Sequence, residues 1–127
     1  MSKTILIVDD EPHIRILMEQ ALEDLEDEGV ELLTATNGEE ALKAIEEEQP
    51  QLVFLDVMMP KLSGFEVCET VKKKRQLDNI YIVMLTAKGQ EFDKEKGYES
   101  GANLYMTKPF DPDEIVKKAR EILGMEE

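Results

Sequence analysis

The amino-acid sequence predicts an α/β fold, an open parallel sheet doubly wound with helices on both faces. Five short apolar runs alternate with helical patterns, and β-then-α units of this kind pair as parallel strands through right-handed crossovers. Runs such as Leu52 to Leu55 are continuously apolar rather than alternating, as strands covered on both faces are. No Gly/Ser-rich linker, internal repeat or low-complexity stretch interrupts the 127 residues, so residues 1–127 are expected to form a single domain.

Each element carries its own signal. "TILIV" (4–8) is the first strand. "HIRILMEQALEDLED" then places Ile14, Leu17, Ala21, Leu22 and Leu25 at helical spacing, until Gly29 stops the pattern. "VELLTA" (30–35) is the second strand, and "NGEEALKAIEEEQP" a helix that turns Ala41, Leu42 and Ile45 inward and ends before Pro50. "QLVFLD" (51–56) is the third strand. "SGFEVCETVKKK" opens with Ser63 and Glu66 at capping-box spacing and keeps Val67 and Val71 on one face. "IYIVMLT" (80–86) is the fourth strand, "EFDKEKGYES" a weaker fourth helix broken by Gly97, and "NLYM" (103–106) a short fifth strand. The last helix starts at Asp111, with Pro112 in its first turn and Glu114 three residues on, and runs to Gly124.

Composition narrows the function. Hydrophobic residues make up 42%, an ordinary globular share, and no apolar run approaches the length of a membrane span. "MSKTILIVDDE" is too short and too acidic for a signal peptide, and a single cysteine builds no disulfide framework, which suits a reducing compartment. Fifteen Lys and Arg against 29 Asp and Glu give a net charge of −14. Nucleic acid and anionic lipid would repel such a chain, so neither is expected as a direct partner.

The residues at the strand ends point to chemistry. The first strand ends in Asp9 and Asp10, the third in Asp56, the fourth in Thr86, and Thr107, Lys108 and Pro109 follow the fifth. In open α/β sheets ligands bind at the carboxyl ends of the strands. With the first and third strands adjacent, three carboxylates meet in one crevice beside a hydroxyl and an ammonium. Like charges so close raise at least one pKa unless a cation joins them, and oxygen ligands of this kind suit Mg²⁺. Metal, lysine and hydroxyl around a carboxylate nucleophile make a phosphoryl-transfer site. The alternative for each Asp alone is that it starts a turn.

"ILIVDDE", "LVFLDVMMPKLSG", "VMLTAKGQ" and "YMTKPF" resemble, in order and spacing, the signature segments of the receiver domain of bacterial two-component response regulators. The resemblance implies a CheY-like, flavodoxin-like five-stranded sheet of order 2-1-3-4-5 with five helices. It implies that Asp56 takes a phosphoryl group from a sensor histidine kinase or phosphotransfer protein. Asp10, Asp56 and the Met58 carbonyl would hold Mg²⁺, with Asp9 assisting through water. Lys108, Thr86 and the Ala87 backbone N–H would contact the phosphoryl oxygens, and the Lys108–Pro109 bond would be cis. Thr86 and Tyr105 match the switch pair, in which the aromatic turns inward as the hydroxyl moves to the phosphate. The implied role is a cytoplasmic phosphoacceptor module and not an enzyme, although it assists its own phosphorylation and slow autodephosphorylation. Its output would pass to a protein target through the face of the fourth helix, fifth strand and fifth helix.

Other assignments fit less well. A phosphatase of the haloacid-dehalogenase type needs Asp-x-Asp after its first strand, whereas the nucleophile candidate here follows the third. A flavodoxin-like electron carrier needs a Ser/Thr/Gly-rich phosphate loop after the first strand, and none is present. His13, the only histidine, reads as a solvated or packing residue, Cys68 as a small hydrophobe, and "KKKR" (72–75) as a solvated run at a helix end. Pro60 and Gly64 are expected to shape the loop after Asp56, and Met58 and Lys88 to stand at the mouth of the site. Receivers of winged-helix transcription factors typically read Gly-Ala-Asp-Asp-Tyr, where this chain has Asn103 and Leu104 in "GANLYMTKPF". Lys117, Lys118 and Arg120 on the last helix therefore lack opposing acids for a symmetric dimer, and a monomer is expected before phosphorylation. The chain stops at "REILGMEE" after the last helix, which leaves open a stand-alone receiver or one excised from a longer regulator.

Overall fold

Five parallel strands form one sheet: β1 (Thr4–Val8), β2 (Glu31–Ala35), β3 (Leu52–Asp56), β4 (Tyr81–Ala87) and β5 (Leu104–Lys108), in the order β2-β1-β3-β4-β5. The computed structural model describes residues 3–59, 62–77, 79–87, 99, 101–108 and 111–125, with the backbone alone at Ala87. The described helices are α1 (Pro12–Ala21), α2 (Glu23–Asp27), α3 (Gly38–Glu48), α4 (Gly64–Glu69) and α5 (Pro112–Leu123). The helical pattern after β1 divides at Leu22 into α1 and α2, and the weak pattern at 91–100 lies outside the described residues.

Alternation along the strands builds two cores, one on each face of the sheet. Leu6, Val8, Val53, Leu55, Ile82 and Met84 pack on one side with Ala41 and Ile45 of α3 and Val67 and Cys68 of α4. Ile5, Ile7, Leu52, Phe54, Val83 and Leu85 pack on the other with Met18 of α1, Leu25 of α2 and Ile115, Ala119 and Leu123 of α5. Burial of each large side chain contributes about 1.5–3 kcal/mol, so the continuous apolar strands supply most of the driving force. One helix departs from expectation. Leu17 is 45% exposed, while Met18 is buried with Leu22 and Leu25. Met18, Leu22 and Leu25 follow an i, i+4, i+7 stripe, and Leu17 falls beside it.

The termini of the helices follow their local chemistry. Ser63 and Glu66 form the anticipated capping box at α4. Asp111 caps α5 by accepting the Asp113 N–H, not in reciprocal pairing with Glu114, and Gly124 ends it at φ 70°. Beyond α4, residues Thr70–Lys74 wind as a π-helical turn. Lys73, Lys74 and Arg75 are exposed, as expected of this basic run, and Lys72 departs from it. Lys72 donates from its Nζ to the Ile80 carbonyl at the start of β4, and Arg75 pairs with Glu46 at 2.6 Å.

Candidate functional site

The crevice lies where the chain order reverses, between β1 and β3. Their register pairs Val8 with Leu55, so the next residues, Asp9 and Asp56, emerge side by side. β3 pairs Asp56 with Leu85, and β4 pairs Thr86 with Thr107 and Ala87 with Lys108. The rim therefore gathers Asp9, Asp10, Asp56, Thr86, Ala87 and Lys108 on neighbouring strand ends.

The loop after β3 is seated by a close approach. The Gly64 N–H donates to the Val57 carbonyl at 2.9 Å. A Cβ at Gly64 would overlap the Asp56 carbonyl oxygen and stand 3.0 Å from the Val57 Cα, so only glycine lets α4 begin against the end of β3. Gly64 thus shapes this loop as anticipated; Pro60 lies outside the described residues.

Charges then meet in a mostly dry site. Asp9 is 0% exposed and Asp56 5%. The Lys108 Nζ lies 2.7 Å from Asp9 Oδ2 and 3.2 Å from Asp56 Oδ1. Asp9 Oδ1 accepts the Glu11 N–H at 2.9 Å, and Asp56 Oδ1 accepts the Met58 N–H at 3.3 Å. Burial pushes the Asp56 carboxyl up from 3.8 to about 7; the Asp9 charge adds to this, and Lys108 opposes it. For Lys108, burial pulls downward, but its hydrogen bond to Asp9 and the charges of both carboxylates outweigh that and raise it above the ordinary ammonium value. One ammonium thus faces two buried acids, and the balance leaves room for more positive charge.

A divalent cation fits that deficit. Asp9, Asp10 and Asp56 each present a carboxylate oxygen, all within 4.8 Å of one another. Asp10 is exposed and open to solvent, as a partly hydrated ion requires. Hard oxygen donors in this number match Mg²⁺, which is usually held by one or two carboxylates with waters and phosphate oxygens.

The remaining candidates stand around this cluster. Thr86 is buried at the end of β4, and Met58 is 61% exposed at the mouth. Half-buried Tyr105 pairs with Met84 and packs against the core on the Thr86 side of the sheet. Lys88 and Pro109 lie outside the described residues. His13 is exposed and 3.4 Å from Glu11, and Cys68 is buried, as anticipated. Sequence reasoning missed Arg15, whose Nη1 donates to the Asp9 carbonyl at 2.7 Å. No spacing rule marks a helical cation that bonds a backbone oxygen six residues earlier. Arg120 is also corrected: Glu28 takes its guanidinium, so it is not a spare cation on α5.

A family model, the response regulator receiver domain, matches residues 5–120. The chain is 48% identical over 127 residues to the alkaline phosphatase synthesis transcriptional regulatory protein PhoP of Bacillus subtilis, covering 100% of this chain and 51% of that protein. It is 44% identical over 123 residues to the phosphate regulon transcriptional regulatory protein PhoB of Pseudomonas aeruginosa, covering 97% and 52%. The fold superimposes on the chemotaxis protein CheY4 of Vibrio cholerae with a TM-score of 0.83 at 31% identity, covering 96% and 99%. The chain spans about half the length of the curated relatives it matches.

Proposed function

The chain belongs to the response regulator receiver domain family, and we propose that Asp56 is its phosphoacceptor, acting within one receiver domain over residues 1–127. One observation carries this reading: one partly buried ammonium, Lys108, bridges the buried Asp9 and Asp56 at the carboxyl rim of the sheet. An Asp56 carboxylate oxygen attacks the phosphorus of a phosphohistidine on a sensor kinase or phosphotransfer protein. The new P–O bond forms as the P–N bond breaks, and its electron pair leaves on the imidazole nitrogen. Lys108, the Thr86 hydroxyl and the Ala87 N–H take the transferred oxygens, replacing solvent by fixed donors. Asp10, Asp56 and the Met58 carbonyl would hold Mg²⁺, with Asp9 reaching it through water. Bound there, Mg²⁺ would supply positive charge against that developing on the phosphoryl group.

The chain is a signalling module, and water attack on the aspartyl phosphate returns it slowly to its starting state. Met58, exposed at the mouth, and Lys88 screen that water and set the lifetime. Thr86 and Tyr105 relay phosphorylation to the face of β5 and α5, which binds a protein target. Leu104 and Tyr105 supply apolar surface on that strand, both partly buried. The relatives are transcriptional regulators twice as long, so the expectation of no direct nucleic-acid contact is confined to this domain. No described helix is long and apolar enough to cross a membrane. The test is intact mass after incubation with a small phosphodonor and Mg²⁺. One phosphoryl group is expected on the wild type and none on Asp56→Asn; labelling of that variant would overturn the assignment.

A further inference from the structure

Asp9 is held at four atoms. Its N–H donates to the Ala35 carbonyl at 3.2 Å, Oδ1 accepts the Glu11 N–H, Oδ2 meets Lys108, and its carbonyl oxygen accepts Arg15 Nη1 at 2.7 Å. The last of these bonds has no part in the proposed phosphoryl chemistry. Arg15 lies in the first turn of α1, where side chains lean toward the helix N-terminus, which brings its guanidinium back over the turn from β1. That helix start has no side-chain cap from Glu11, its N-cap residue. Arg15 therefore ties the start of α1 to the end of β1.

The carbonyl it holds belongs to the peptide joining Asp9 to Asp10. A peptide unit is planar, so fixing its oxygen also fixes the plane containing the Asp10 nitrogen and Cα. Asp10 is the exposed member of the three-carboxylate group, the one that burial does not orient. We propose that Arg15 is a positioning residue for Mg²⁺: through the Asp9 carbonyl it aims the Asp10 carboxylate at the ion. This inference rests on the Mg²⁺ reading of the site.

Two consequences of Arg15 have opposite signs. As a positive charge it repels a divalent cation, so its removal would tighten binding. As an orienting group it holds a ligand in place, so its removal weakens binding. At about 0.15 M salt the Debye length is about 8 Å, so salt only weakens the first effect at this range, and the inference is that the second outweighs it.

Titration calorimetry with MgCl₂ at that salt concentration separates them. Arg15→Met keeps the apolar stem and removes the donor; its Kd is expected to rise about tenfold, the low end for loss of an outer-sphere partner. Arg15→Lys recovers part of the loss, because it keeps one donor. Lys118→Ala, which removes a cation that lies 3.5 Å from Glu121 on α5, moves Kd by less than about twofold. Should Arg15→Met fail to give the wild-type circular dichroism spectrum, Arg15→Leu, which also carries no donor, supplies the same comparison. An unchanged or tighter Kd in the neutral variant overturns the inference alone. A wild type that shows no Mg²⁺ isotherm overturns the cofactor reading and the inference with it.

Discussion

Two clusters of ion pairs tie distant parts of this chain together, and they differ in what surrounds them. Lys108 joins β5 to Asp9 and Asp56 with both acids buried. Arg120 joins α5 to Glu28, just beyond α2, with the acid in solvent. In the first, one cation faces two desolvated anions, and burial drives Asp56 up to about 7. In the second, the Arg120 hydrogen bond holds Glu28 below its ordinary range, against the desolvation that raises it. The same chemistry gives a poised site where water is excluded and a surface strap where it is not. Buried ion pairs are weak evidence for stability and strong evidence that charge is being placed. Exposed ones contribute little either way.

Breaking the buried cluster has the largest expected effect. Lys108→Ala leaves Asp9 and Asp56 without their ammonium, which costs about 3 kcal/mol of stability in Mg²⁺-free buffer when one partner of a buried pair is removed. Denaturant unfolding with and without Mg²⁺ measures it, and added Mg²⁺ is expected to restore part of the loss. Equal midpoints for the variant and wild type would show that Lys108 carries no such burden.

The pH dependence sharpens the same contrast. Asp56 is raised from 3.8 to about 7 in the fold, so between those values the native state binds more protons than the unfolded chain. Stability therefore falls as pH rises through that window and levels off above it. Relative to Asp56→Asn, the wild type is expected to lose stability from about pH 4 to pH 7 without Mg²⁺. A pH-independent difference between the two would contradict the burial of that carboxyl.

Mg²⁺ acts in the opposite direction. At tenfold excess over Kd it adds about 1.4 kcal/mol, because it binds only the assembled site. A melting temperature indifferent to Mg²⁺ at matched ionic strength would count against the three-carboxylate site.

Breaking the exposed strap has the smallest effect. Arg120→Gln is expected to lower the melting temperature several-fold less than Lys108→Ala, and to leave phosphoryl incorporation unchanged. With Arg120 taken by Glu28 and Lys118 3.5 Å from Glu121, few cations on α5 are left for pairing between copies. Light scattering of the unphosphorylated protein should show a monomer. With beryllofluoride and Mg²⁺, any dimer through β5 and α5 should be weak.

What the sequence determined by itself is whatever a few neighbouring residues decide. Continuous apolar runs need no partner to read as buried strands, and the Ser63–Glu66 box and the stop at Gly124 are made within a single helical turn. Because strand ends converge in any parallel sheet, Asp9, Asp56 and Lys108 could be placed on one rim before the fold was known. Tertiary structure alone decided which apolar residues of α1 face inward, because Leu17 and Met18 are neighbours on the helix and only packing selects between them. It alone paired Arg120 with Glu28, 92 residues away, and aimed Arg15 at a carbonyl rather than at solvent. It alone drew Lys72 from a basic run onto the Ile80 carbonyl at the start of β4. Long cations carry no local preference that names a partner. Their contacts depend on which surfaces the two cores bring together, and that is set by the whole sheet.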